Sequence, residues 1–136
     1  MSMDKSCCNA AEMRISSETL SDILKTMRDM AEAYRFAIAG QQEAEGLEND
    51  LRHDLELKDL TYRERALIAT QMQQALRERR KNKDLVERLS PFAAWFDSNT
   101  SVVKTLERTL GEMRKVEEKH KNRRYVYRSK PDAGRG

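Results

Sequence analysis

The sequence predicts a mainly α-helical fold: a long helical hairpin plus a third helix with a short C-terminal strand, assembled into oligomers. Three observations carry this. Apolar residues recur at alternating spacings of three and four over long stretches, which places them on one helical face. Charged residues make up 36% of the chain and aromatics only 6%, the balance of long amphipathic helices. A helix of about 40 residues is about 60 Å long, and three such rods cannot bury all their apolar faces within one compact subunit. A partner chain is the remedy, and a symmetric homodimer is its commonest form.

The first helix is expected to start at Ser16 or Ser17, whose hydroxyl can cap free backbone amides, with Glu18 in the favourable first turn. Its stripe is Leu20, Leu24, Met27, Ala31, Tyr34 and Ile38, with Ile23 and Met30 alongside. The stripe falters from Gly40 to Gly46 and resumes at Leu47, Leu51 and Leu55. Two helical glycines cost about 1 kcal/mol each against alanine, so a bend or weak point is expected there.

Thr61-Tyr62-Arg63-Glu64 matches a reciprocal capping box and opens the second helix. Its stripe runs Ile68, Met72, Ala75, Arg79, Asn82, Val86 and Leu89, with two polar residues in the middle. A buried, unpaired arginine is costly, so Arg79 is expected to face a carboxylate, solvent or a ligand. The helix should stop near Ser90, because Pro91 disfavours helical geometry in the residue before it. Pro91 can then open a third helix with Ser90 as its cap. That helix carries Phe92, Trp95 and Phe96 on one side, and its series continues through Asn99, Val103, Leu106, Leu110 and Met113. The spacing leaves open whether it is broken near residues 97–100. Residues 124–128, Arg-Tyr-Val-Tyr-Arg, read as a strand that Met13-Arg14-Ile15 could pair with. The expected organisation is a flexible leader over 1–14, a single helical domain over 15–128 and a disordered tail over 129–136.

Bulk properties narrow the function. No apolar stretch approaches the roughly 20 residues that cross a bilayer, and the first residues lack the apolar core of a signal peptide, so a cytoplasmic protein is expected. Cys7 and Cys8 are adjacent and stand alone, which suits reduced thiols in a loose leader. The net charge of +3 is uneven: residues 1–60 hold 7 basic and 13 acidic side chains, and residues 61–136 hold 19 basic and 10 acidic. An acidic front half and a basic back half favour helices or subunits lying against each other, with basic groups left for an anion.

Signals for catalysis are weak. His53 and His120 stand far apart on polar faces, and there is no phosphate-binding glycine loop, nucleophile elbow or metal-spaced Cys/His set. The expectation is a binding protein, not an enzyme, with no cofactor and no metal. Its candidate ligand-binding residues are Arg77 and Arg80 in the basic stretch of the second helix, and Phe92 and Phe96 as a wall for a purine ring. Asn99 adds a donor and acceptor for a base edge or ribose. Arg124, Tyr125 and Arg128 complete the set, because guanidinium forks take phosphate oxygens and tyrosine stacks or hydrogen-bonds. Each has a plainer reading: Arg77 and Arg80 as helix-pairing charges, the rings as a hydrophobic plug, Asn99 as a cap, and HKNRRYVYR as a solvated end. Nucleic-acid binding would use similar residues, but a polymer binder usually carries a more basic charge than +3.

The early helix ISSETLSDILKTMRDMAEAYRFAI, the basic ALRERRKNKDLVERL ending at SPF, and the closing NRRYVYR together cover about half the chain. In order and texture they resemble the phage anti-Thoeris proteins that sequester cyclic nucleotide signals. The resemblance implies a mainly helical fold with a small sheet, built from dimers that can form larger rings. It implies a sponge in the cytoplasm of a phage-infected bacterial host. There a cyclic ADP-ribose isomer made by a host TIR-domain enzyme would be trapped without cleavage. Some relatives also hold cyclic di- or trinucleotides at a separate subunit junction. The rival expectations are a coiled-coil scaffold protein and a nucleic-acid-binding helical dimer.

Overall fold

A computed structural model describes residues 15–124. Three helices account for nearly all of them: α1 (Ser17–Leu57), α2 (Tyr62–Ser98) and α3 (Thr100–Lys121). No strand occurs among the described residues. The expected strand over 124–128 and the leader with Cys7 and Cys8 lie outside them, apart from Arg124. The described chain divides into two compact units, one of residues 15–22 with 104–124 and the other Ile23–Val103.

In the smaller unit, α1 begins where its sequence predicts. The Glu18 N–H donates to Ser16 Oγ at 3.2 Å, and the Ser16 N–H donates to Thr19 Oγ1 at 3.2 Å. These satisfy groups that a helix start leaves without intrahelical partners. A second cap comes from far along the chain. The Ser17 N–H donates to Glu117 Oε2 at 2.9 Å, and the Ser17 hydroxyl donates to Glu117 Oε1. Ser17 is buried by this contact. The two hydrogen bonds from Ser17 hold the Glu117 carboxyl below its ordinary value, as donors to the charged form do. Beside them, Ile15, Met113, Val116 and His120 line an open groove.

In the larger unit α1 and α2 run antiparallel. The buried positions of α1 are Leu24, Ala31, Ala37, Ala44 and Leu51, spaced by six or seven residues as in helices that coil about each other. This corrects the expected stripe at its far end, where Leu47 and Leu55 are 50% and 39% exposed. Holding one phase beyond Ile38 selects Leu47; a seven-residue repeat drifts about 20° per heptad and selects Ala44 instead, while Leu51 is buried as expected. Facing α1, the stripe of α2 is the predicted one. Ala75 is buried, and Ile68, Met72, Arg79, Asn82, Val86 and Leu89 are half-buried.

The two polar interruptions of that stripe meet the faltering segment of α1. Arg79 Nε donates to Glu45 Oε1 at 3.1 Å, and Gln41 Nε2 donates to the same oxygen at 3.2 Å. The arginine first, and the glutamine second, hold the Glu45 carboxyl below its ordinary value. Asn82 packs where Gly40 leaves room: a Cβ on Gly40 would lie 2.8 Å from Asn82 Nδ2. So α1 runs unbroken through Gly40 and Gly46, where a weak point was expected, because the first glycine is fitted to a neighbour. Gly46 has nothing within 4 Å. Gly46→Ala should therefore stabilise the protein by about 1 kcal/mol in urea unfolding. Gly40→Ala should fall well short of that gain unless Asn82→Ala accompanies it; equal gains in both backgrounds would show that the close approach does not matter.

α2 starts at the predicted cap, with the Glu64 N–H donating to Thr61 Oγ1 at 3.2 Å. Its end differs from expectation. The helix does not stop at Ser90 but continues through Pro91 to Ser98, and the chain breaks at Asn99. Pro91 removes one hydrogen bond to the carbonyl four residues earlier. Both Pro91 and Glu87 are exposed, so water can satisfy that carbonyl, while half-buried Leu89, Phe92 and Phe96 and buried Ala93 hold the inner side. Beyond the break, Val103 is buried and Leu106, Leu110 and Met113 are half-buried, as the spacing predicts.

Candidate functional site

The basic stretch of α2 separates into two functions. Arg79 turns inward to Glu45. Arg77 and Arg80 point outward, where they line a groove of 370 Å³ with Gln73, Leu76 and Arg79. Neither Arg77 nor Arg80 has a hydrogen-bond or ion-pair partner among the described residues. That division follows from helical geometry, since residues 77 and 80 share a face that residue 79 does not.

Phe92 sits at the centre of an aromatic cluster. Its ring centroid lies 6.1 Å from that of Trp95 and 5.9 Å from that of Phe96, with tilted planes in both pairs. Such pairs contribute about 0.5–1.5 kcal/mol beyond simple burial. Phe92 and Phe96 are half-buried, and Trp95 is 42% exposed, so the cluster packs on one side and shows an edge to water on the other.

Asn99 has a definite structural task. Its N–H donates to the Phe96 carbonyl at 3.3 Å and its Nδ2 donates to the Trp95 carbonyl at 2.8 Å, satisfying two carbonyls at the end of α2. Its own carbonyl accepts the Val103 N–H at 3.1 Å, the first bond of α3. The side-chain oxygen and one amide hydrogen remain for a ligand. The cap reading of this residue is the one that the geometry supplies directly.

Arg77 and Arg80 are not brought to the aromatic cluster. Twelve residues separate Arg80 from Phe92 along one helix, about 18 Å of axis, and while Trp95 shares the outward face of the arginines, Phe92 and Phe96 are half-buried beside it. These are two surfaces, not one pocket. A groove of 620 Å³ in the larger unit, lined by Gly40, Glu43, Leu47, Gln74, Glu78 and Asn82 among others, contains no predicted site residue. It carries carboxylates and amides, which do not suit an anion.

The end of α3 carries a second run of basic side chains. Its last turn holds Lys119, His120 and Lys121, and Arg123 and Arg124 follow, all exposed. The acids nearby are engaged: Glu117 caps Ser17, and Glu118 accepts from Asn122 Nδ2 at 3.5 Å. Lys119, Lys121, Arg123 and Arg124 have no side-chain partner among the described residues. Tyr125 and Arg128 lie outside the described residues. No protein family, curated protein or solved structure matches this chain.

Proposed function

We propose that this chain is a phage counter-defence sponge, a helical and non-catalytic protein that binds a small cyclic nucleotide and holds it intact. The ligand class is the cyclic ADP-ribose type that the anti-Thoeris resemblance implies. The observation that carries the reading is the basic end of α3. Lys119, Lys121, Arg123 and Arg124 have no side-chain partner among the described residues, while Glu117 and Glu118 accept hydrogen bonds from Ser17 and Asn122. The run continues into Tyr-Val-Tyr-Arg. Guanidinium groups bind phosphate oxygens through paired, charge-assisted hydrogen bonds, and a tyrosine beside them can stack on or hydrogen-bond the nucleoside. Arg124 and Arg128 take the phosphates, and Tyr125 contacts the nucleoside. Phe92, Phe96 and the remaining amide hydrogen of Asn99 form a separate surface on which a base can lie.

The test is direct. Protein purified from cells making cyclic ADP-ribose isomers is heated, and the released small molecules are weighed by mass spectrometry. The expected result is an intact cyclic nucleotide in stoichiometric amount. Release of a linear product would replace the sponge with an enzyme. Binding to DNA or RNA that falls steeply with salt, with no nucleotide released, would replace it with a nucleic-acid-binding helical dimer. Binding of neither would leave a structural protein.

A further inference from the structure

The outward face of α2 is self-complementary in charge, and this gives Arg77 and Arg80 a partner. Opposite the stripe that packs on α1 runs a second stripe at helical spacing: Gln73, Arg77, Arg80, Asp84, Glu87, Pro91 and Trp95. All seven are exposed. Arg77 stands five residues before Asn82 and Glu87 five after; Arg80 stands two before and Asp84 two after. In an antiparallel pair of α2 helices related by a twofold axis at the level of Asn82, each residue meets its mirror position. Arg77 then lies level with Glu87 of the second copy, and Arg80 with Asp84.

We infer that two copies of this chain associate through the outward faces of their α2 helices, antiparallel and in this register. The four charges are free for the purpose. None of Arg77, Arg80, Asp84 and Glu87 has an ion pair among the described residues, although Arg80 and Asp84 are four apart on one helix. A cation placed before its acid is the weaker order for such intrahelical pairs, which leaves both groups for a partner. A parallel arrangement would set like charge against like, so the pattern selects orientation as well as register.

Apolar groups flank the charges. Leu76 is 45% exposed and Trp95 42% exposed. In the same register Leu76 lies level with Arg88 of the second copy, whose aliphatic stem can cover it. Trp95 lies level with the small side chain of Ala69. α2 has 37 residues, about 55 Å of helix, long enough for an interface of the standard size of about 800 Å² per partner. The pairing is independent of the sponge reading, since it uses residues that reading does not need.

Charge reversal tests the pairing in solution. Arg77→Glu with Arg80→Glu makes the centre of the face wholly acidic, and Asp84→Lys with Glu87→Lys makes it wholly basic. Analytical ultracentrifugation should show self-association weakened at least tenfold in each double variant, with circular dichroism unchanged. An equimolar mixture of the two should form a heterodimer, and the chain carrying all four changes should dimerise again. A monomeric wild type, reversal variants that associate as the wild type does, or a mixture without rescue would overturn the pairing.

Discussion

Leu24→Ala is expected to be the most destabilising single truncation in the helical body, costing about 3 kcal/mol. Leu24 is 1% exposed and is the largest side chain so completely buried. The other buried apolar residues are Ala31, Ala37, Ala44, Ala75 and Ala93, with Leu51 and Val103. A core of alanines brings helices close but removes little apolar surface per residue from water. It also has few flexible side chains that could collapse into a space left by a missing isobutyl group. Leucine-to-alanine changes in such sites cost about 2–5 kcal/mol, a large share of the roughly 5–15 kcal/mol that keeps a domain folded. Leu55, at 39% exposed, is the control, and its truncation should cost less than about 1 kcal/mol. Urea unfolding followed by circular dichroism measures both. Equal losses at the two positions would mean that the core lies elsewhere, for instance at an interface between copies, where the midpoint would also depend on protein concentration.

Much of the helical body was legible because its signals are local. The caps at Ser16 and Thr61 need only a hydroxyl at the right offset, and the spacing from Ile68 to Leu89 holds one phase throughout. Even the two irregular positions in that stripe, Arg79 and Asn82, carried information. They announced special neighbours, and the glycine- and glutamate-rich segment of α1 supplies them: Glu45 as the acceptor for Arg79, and Gly40 as the space that Asn82 fills. What the spacing could not reveal was that the two anomalies are one feature, because matching them requires the register between helices. Pro91 misled for a related reason: a proline's cost depends on whether its orphaned carbonyl meets water, and that is fixed by tertiary packing. The Glu117 cap on Ser17 joins residues 100 apart in the chain, and no local signal marks it.

The candidate site was legible as chemistry but not as geometry. Arg77, Arg79 and Arg80 look alike in sequence, yet Arg79 is half-buried and paired with Glu45 on α1, and the other two are exposed. Asn99 was rightly suspected as a cap. Arg77 and Arg80 suit a phosphate by residue type alone, but their spacing from Asp84 and Glu87 suits a second copy of the same helix. Phe92 and Phe96 do form a cluster, though not beside those arginines. Helical rise separates groups that are only a dozen residues apart, and composition is blind to that distance.

Arg128→Ala should weaken binding of a doubly anionic cyclic nucleotide at least tenfold, and Arg124→Ala by a similar factor, with folding unchanged. A charge-assisted hydrogen bond contributes about 1.5–3 kcal/mol, and 1.4 kcal/mol is already a factor of ten in affinity. Arg124 is exposed and has no side-chain partner among the described residues, so its removal breaks no contact among them. Lys119, Lys121 and Arg123 would still attract an anion over distance, but as scattered point charges they would not replace a fork aimed at two oxygens. Isothermal titration with a cyclic ADP-ribose isomer measures the effect, and truncation after Asn122 is the strongest form of the test. Phe92→Ala serves as a parallel measurement on the separate aromatic surface, where loss of a stacked base costs about 1–3 kcal/mol. A truncated chain that binds as tightly as the full one, beside a Phe92 variant that binds poorly, would move the site to the aromatic cluster. If both retain full affinity, neither surface holds the nucleotide, and the basic end of α3 is a solvated terminus or a contact between copies.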